Sequence, residues 1–182
     1  MKKNINFNNQ PTQKDMQEVE NLYKSNQFDI LVTKTKKLID KFRRTPILFN
    51  ILGVALQKNN NPDEAIQSFM KAIDLKPDFD HAHNNLGNAL RRYGKLEESI
   101  SSFQRAIKIN PNYAEAYNNQ GLALKDLRKL DDAVLSFEKA IKINSNYEEA
   151  YNNLGIILHE LEKFEEAILN YRKAIKLNPN CC

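Results

Sequence analysis

The 182-residue chain is poor in the residues that build turns and staples. It has 5 Gly, 6 Pro, no Trp and 2 Cys. So few turn formers argue against a sandwich or barrel of many short strands and favour helices. The two cysteines, Cys181 and Cys182, are adjacent and terminal; such a pair cannot staple a core and reads as two exposed thiols. No apolar run approaches the roughly 20 residues needed to cross a bilayer, and the first eleven residues, basic but without an apolar stretch, are not expected to form a secretory signal. These absences point to a cytoplasmic protein that does not engage a membrane. Excess charge of one sign is also small. The net charge is +4 and the basic residues form no run interleaved with aromatics, so a nucleic-acid platform is not expected. Metal and catalytic patterns are missing too. His81 and His83 lie two apart on a helical pattern, His159 is distant, and there is no phosphate-binding glycine loop or nucleophile elbow. The expectation is no catalytic residues, no metal and no cofactor.

What the chain does contain is enough apolar residue, 41%, to form a core, and a strict internal repeat. Gly53, Gly87, Gly121 and Gly155 stand 34 residues apart, as do Leu56, Leu90, Leu124 and Leu158. The same spacing relates Ala65, Ser99, Ala133 and Ala167, and Phe69, Phe103, Phe137 and Tyr171. Each unit holds two amphipathic periods. In the third, Ala116, Tyr117, Gln120, Gly121, Ala123 and Leu124 form one stripe, and Leu130, Ala133, Val134, Phe137, Ala140 and Ile141 form the next. A break at Leu127-Arg128-Lys129 separates them, and Asn-Pro-Asn, Lys-Pro-Asp or Asn-Ser-Asn ends the unit. Each unit is therefore an antiparallel helical hairpin. The glycines Gly53, Gly87, Gly121 and Gly155, set opposite the small residues Ala65, Ala133 and Ala167, let paired helices approach closely, with Phe137 and Tyr117 filling space toward neighbouring helices. One hairpin cannot bury both faces, so the hairpins must stack. Acidic pairs such as Asp63-Glu64, Glu97-Glu98, Asp131-Asp132 and Glu165-Glu166 open each second helix, favouring its dipole.

These positions resemble the tetratricopeptide repeat family, and the Tyr-Asn-Asn-Leu-Gly segment is similar to the repeats of O-GlcNAc transferase-type arrays. The resemblance implies an all-α, right-handed α-solenoid of antiparallel helix pairs. Expected boundaries are a mobile segment at 1–11, a degenerate capping hairpin at 12–45, and four repeats at 46–79, 80–113, 114–147 and 148–181. In the capping hairpin Leu22, Phe28, Leu31 and Leu38 keep the register, but the glycine and proline are absent. The departures elsewhere are His83, Gln120, Ser99 and Pro62, the last tolerable at a helix start. The array has no obvious polar closing helix, so an apolar face at its C-terminal end is expected to meet a downstream segment, another copy or a partner.

The resemblance further implies that first helices line a groove for an extended peptide or partner helix. Asn50, Asn84, Asn118 and Asn152 recur there, followed by Asn85, Asn119 and Asn153, with Ile51 breaking the second series. As solvent-side groups, these amides are expected to pair with a peptide backbone, at about every third peptide residue. One turn on, Lys58, Arg91, Arg92 and Lys125 favour an acidic segment in the ligand. The expected function is a non-catalytic adaptor or scaffold. The alternatives are the substrate-recognition arm of a larger enzyme, such as a glycosyltransferase, and a self-assembling scaffold.

Overall fold

The computed structural model describes residues 10–179; Cys181, Cys182 and most of the segment expected to be mobile lie outside them. Among the described residues the chain forms ten helices: α1 (Gln13–Lys24), α2 (Phe28–Lys41), α3 (Pro46–Lys58), α4 (Pro62–Leu75), α5 (Asp80–Arg92), α6 (Leu96–Ile109), α7 (Ala114–Asp126), α8 (Leu130–Ile143), α9 (Glu148–Glu160) and α10 (Phe164–Leu177). The all-α, helix-pair class follows from the 34-residue period, and no described helix is long and apolar enough to span a membrane. The chain divides into two compact units, with the division between Pro77 and Asp78.

The turn within each hairpin is built the same way throughout. The N–H five residues beyond a leucine bonds that leucine's carbonyl: Gln27 to Leu22, Asn61 to Leu56, Lys95 to Leu90, Lys129 to Leu124 and Lys163 to Leu158, at 2.8–3.0 Å. This closure requires a left-handed residue. It is Asn26, Asn60, Gly94, Arg128 and Glu162 in turn, with φ between 55° and 77°. Only one of the five is glycine, which is why the sequence shows the turns as mere breaks in the apolar pattern.

In the first unit, α1 opens on a capping box in which Asp15 N–H donates to Thr12 Oγ1 and Thr12 N–H donates to the Asp15 carboxylate. The Thr12 hydroxyl, which donates to the Asp15 carboxylate at 2.7 Å, and then the Thr12 N–H hold the Asp15 carboxyl below its ordinary pKa. Proline supplies the first residue of α3 and α4, where the missing N–H has no helical partner to lose. A core of Val19, Leu31, Leu38, Phe42, Leu48 and Ala55 joins α1, α2 and α3. Polar bridges reinforce it, from Lys36 to Glu64 (3.1 Å) and from Asn59 to Asp29 (2.7 Å).

In the second unit, α5 with α6, α7 with α8 and α9 with α10 form hairpins, and α6 packs on α7 and α8 on α9. Leu124, Ala133, Phe137, Leu154, Ile157, Leu158 and Ala167 form one core cluster.

The glycine contacts differ from the sequence expectation. A Cβ at Gly121 would lie 2.7 Å from the Phe137 ring, and Gly53, Gly87 and Gly155 meet Phe69, Phe103 and Tyr171 in the same way. The aromatic residue lies against its own hairpin's glycine, and Phe137 also joins the core cluster with Leu154 and Ile157 of α9. A ring stacked on a bare backbone fills the gap that two close helices leave. The small residue on the second helix meets the glycine's backbone: Ser99 Oγ donates to the Gly87 carbonyl at 2.8 Å. In the first hairpin both members of the aromatic–glycine pair change together. Val19 stands at the glycine position and Thr35 at the aromatic one, both buried. The bulk has moved from one helix to the other.

Candidate functional site

The asparagines of the second unit do not simply face solvent. Asn84 and Asn118 are fully buried and Asn119 nearly so. Asn84 on α5 accepts from Asn119 Nδ2 on α7 at 3.0 Å and donates to Glu115 Oε1 at 3.1 Å. One repeat on, Asn118 accepts from Asn153 Nδ2 on α9 at 3.0 Å and donates to Glu149 Oε1 at 3.5 Å. Each buried amide thus clips one first helix to the next through two side chains. Within this unit the clips set the spacing of α5, α7 and α9.

This corrects the expectation of a solvent-side ladder at Asn84, Asn118 and Asn119. The physical reason is that a buried amide must find partners, and the neighbouring helix supplies them. Asn50, expected as the fourth member, is also buried. Asn152 is exposed, while Asn85 and Asn153 are half-buried. The two asparagine series cannot share one direction, because adjacent helical residues point about 100° apart.

The sequence reading missed four members of the clips. Glu115 and Glu149 sit in the first turns of α7 and α9. Tyr113 and Tyr147 precede those helices and hydrogen-bond the Asn84 and Asn118 side chains. All four recur at the repeat spacing, which was the available signal. Burial, with the adjacent Glu115, raises the Tyr113 pKa well above the phenol range, and burial with Glu149 does the same for Tyr147. Both hydroxyls therefore stay protonated and available to donate. Asp80, at the start of α5, accepts from Asn110 at 3.0 Å and from His81 N–H at 2.8 Å. Partial burial raises its pKa, but these bonds from His81 and Asn110 outweigh burial and hold the carboxyl below its usual value.

The expected basic residues lie at the far ends of the first helices. Arg92 and Lys58 are exposed and Lys125 half-buried. Arg91 is drawn to Asp126 at 3.7 Å, so part of its charge is answered within the protein.

Between α1 and α3 of the first unit, the places of Asn84, Glu115 and Asn119 are held by Met16, Ile47 and Ile51. A cavity of about 400 Å³ lies there, lined by residues of α1 and α3 that include Met16, Val19, Ile51 and Val54.

An all-α fold of stacked helix pairs with inter-repeat side-chain clips is that of a helical repeat solenoid. The residue profile of the tetratricopeptide repeat family matches residues 46–79, 114–147 and 148–181, and a second profile of the same repeat matches 87–128. The chain belongs to the tetratricopeptide repeat family, whose fold is typically a non-catalytic protein-interaction module. No curated protein matches it. Among solved structures, MamA is 25% identical with a TM-score of 0.78, over 88% of this chain and 94% of that one. PilF of Pseudomonas aeruginosa is 18% identical with a TM-score of 0.84, over 91% and 75%. YrrB, described as a tetratricopeptide repeat protein with an unusual peptide-binding site, is 21% identical with a TM-score of 0.71, over 96% and 90%.

Proposed function

We propose that the chain is a non-catalytic adaptor or scaffold whose first helices bind an extended peptide or partner helix. The observation that carries this reading is the pair of amide clips. They hold α5, α7 and α9 at a set spacing before any ligand arrives. A preordered surface leaves the ordering cost mainly on the ligand. With Asn84, Asn118, Asn119 and Asn153 engaged in the clips, the ligand-facing groups in this reading are Asn85, Arg92 and Lys125. Arg92 and Lys125 favour an acidic segment, since Arg91 is partly answered by Asp126.

The test uses a fluorescein-labelled peptide of twelve residues alternating Glu and Ser, read by fluorescence anisotropy. Binding at micromolar concentration that weakens at least about tenfold in Arg92→Glu/Lys125→Glu supports the reading. Absent binding, or affinity unchanged by the substitutions, overturns the acidic-ligand assignment.

A second reading is self-association through α10. Phe164, Ile168 and Ile175 are about half exposed on this helix. The matching residues of α8, Leu130, Val134 and Ile141, pack into the core. Light scattering across a concentration series tests it; a constant monomer mass up to millimolar concentration rejects it.

A further inference from the structure

We propose that the cavity between α1 and α3 is a receptor for bulky apolar side chains of a basic peptide, a second anchoring point that builds on the peptide-binding reading above.

The argument starts from register. A clip needs an Asn on one first helix, and a Glu and an Asn on the next. In the second unit these are Asn84 with Glu115 and Asn119, and Asn118 with Glu149 and Asn153. Counting back two periods of 34 residues from Asn84, Glu115 and Asn119, the same three places on α1 and α3 hold Met16, Ile47 and Ile51. All three polar members have been exchanged for apolar ones, so the amide–carboxylate clip of the second unit cannot form between α1 and α3. In the second unit α5 packs directly on α7 and α7 on α9, whereas α1 and α3 approach less closely and meet in the core they share with α2.

The space left is a slot of about 400 Å³. That is many times the roughly 30 Å³ share of a water molecule and lies within the ~300–1,000 Å³ range of sites that take organic ligands. Its walls are mostly apolar, with Met16, Val19, Tyr23, Ile51 and Val54 joined by the buried amide of Asn50. Tyr23 is 45% exposed, so an entering side chain would cover apolar surface now in water, a favourable transfer. The charge sets the second requirement. Glu20 is the one carboxylate in the lining. Its partner is Lys24, one turn along the same helix at 2.5 Å, with both side chains at least half exposed. A surface pair of this kind contributes little, so a ligand cation can take the place of Lys24. The chain as a whole carries +4 and repels basic peptides at long range. Preference for a basic peptide would therefore report the local carboxylate.

The probe is the hexapeptide Lys-Leu-Lys-Phe-Lys-Leu, acetylated, amidated and labelled. Two controls replace either the apolar residues by Ser or the lysines by Glu. The chain has 3 Met, so methyl-labelled methionine gives a resolved reporter at Met16, with exposed Met70 on α4 as internal reference. Expected results are a shift of the Met16 methyl with Met70 unmoved, and at least tenfold weaker binding for the Ser control. Ile51→Asn, which installs the residue the other repeats carry, should weaken binding at least tenfold. Glu20→Lys, at an exposed position that leaves folding intact, should weaken the lysine peptide about fivefold and favour the glutamate peptide. No binding, a silent Met16 methyl, or Glu20→Lys without effect overturns the proposal. So does a Met16 shift caused by deleting residues 1–9, or by raising protein concentration, without peptide, since the occupant is then the chain itself. The acidic-peptide assay on Arg92 and Lys125 reads the wider function independently; if it succeeds while Met16 stays silent, only the slot is lost.

Discussion

The two units repeat one sequence period but fill their inter-helix spaces with different chemistry. In the second unit, first helices are joined by buried amides, each answered by a second amide, a carboxylate and a tyrosine hydroxyl. In the first, the positions facing each other across α1 and α3 carry the apolar Met16, Ile47 and Ile51, and a slot opens between these helices. The lesson is that repeat register conserves geometry at the level of helix pairs, while the contacts between successive pairs are chosen separately. Amide clips are specific in distance and direction. Apolar side chains are not, so they leave a gap wherever their volumes do not match.

The comparison can be tested first on what the units share. Phe69→Ala in the first unit and Phe103→Ala in the second remove a fully buried ring stacked on a glycine. Each is expected to lower stability by about 3–5 kcal/mol, measured by urea unfolding. A loss below about 1 kcal/mol at either site would show that the ring–glycine pairing does not set the hairpin there. The next effect separates the units. Asn84→Ala leaves Glu115 and Asn119 without their partner and should cost about 1–3 kcal/mol. A double-mutant cycle with Asn119→Ala should return a coupling of about 0.5–3 kcal/mol, and additive losses would dissolve the clip.

The third expectation is a gain confined to the first unit. Thr35 Oγ1 is buried with no hydrogen-bond partner. Thr35→Val keeps the shape, removes the unpaired hydroxyl and should stabilise by about 1 kcal/mol. A loss on substitution would reveal a partner for the hydroxyl. The smallest effect concerns pH in the second unit. The Asp80 carboxyl is held below its usual range. Its contribution is therefore complete above about pH 4, the ordinary carboxylate value, and is lost as pH falls through the lower folded pKa. Asp80→Asn should flatten the acid limb of the stability profile below pH 4; an unchanged limb would remove Asp80 from the acid response.

Much of this was legible before the coordinates. The helix pairs, the family and the recurrence of Gly121 with Phe137 follow from periodicity, because burying one face of a helix forces apolar residues into a 3.6-residue pattern. The orientation of Asn84 was not legible. An amide satisfies its bonding as well in water as in a clip, so residue type alone does not say which side of the helix it serves. The exchange of bulk between Val19 and Thr35 was hidden for a related reason. Each residue departs from the pattern when read singly, and only together do they fill the space that glycine and phenylalanine fill elsewhere.

The sequence by itself determined the repeat, the helix pairs and the small and aromatic positions that close each pair, since those depend on contacts between residues near in the chain. Only the tertiary structure decided which polar side chains are consumed between repeats and where a cavity remains. Those outcomes depend on distances between helices a full repeat apart, set by the summed packing of every side chain between them, which no local pattern encodes.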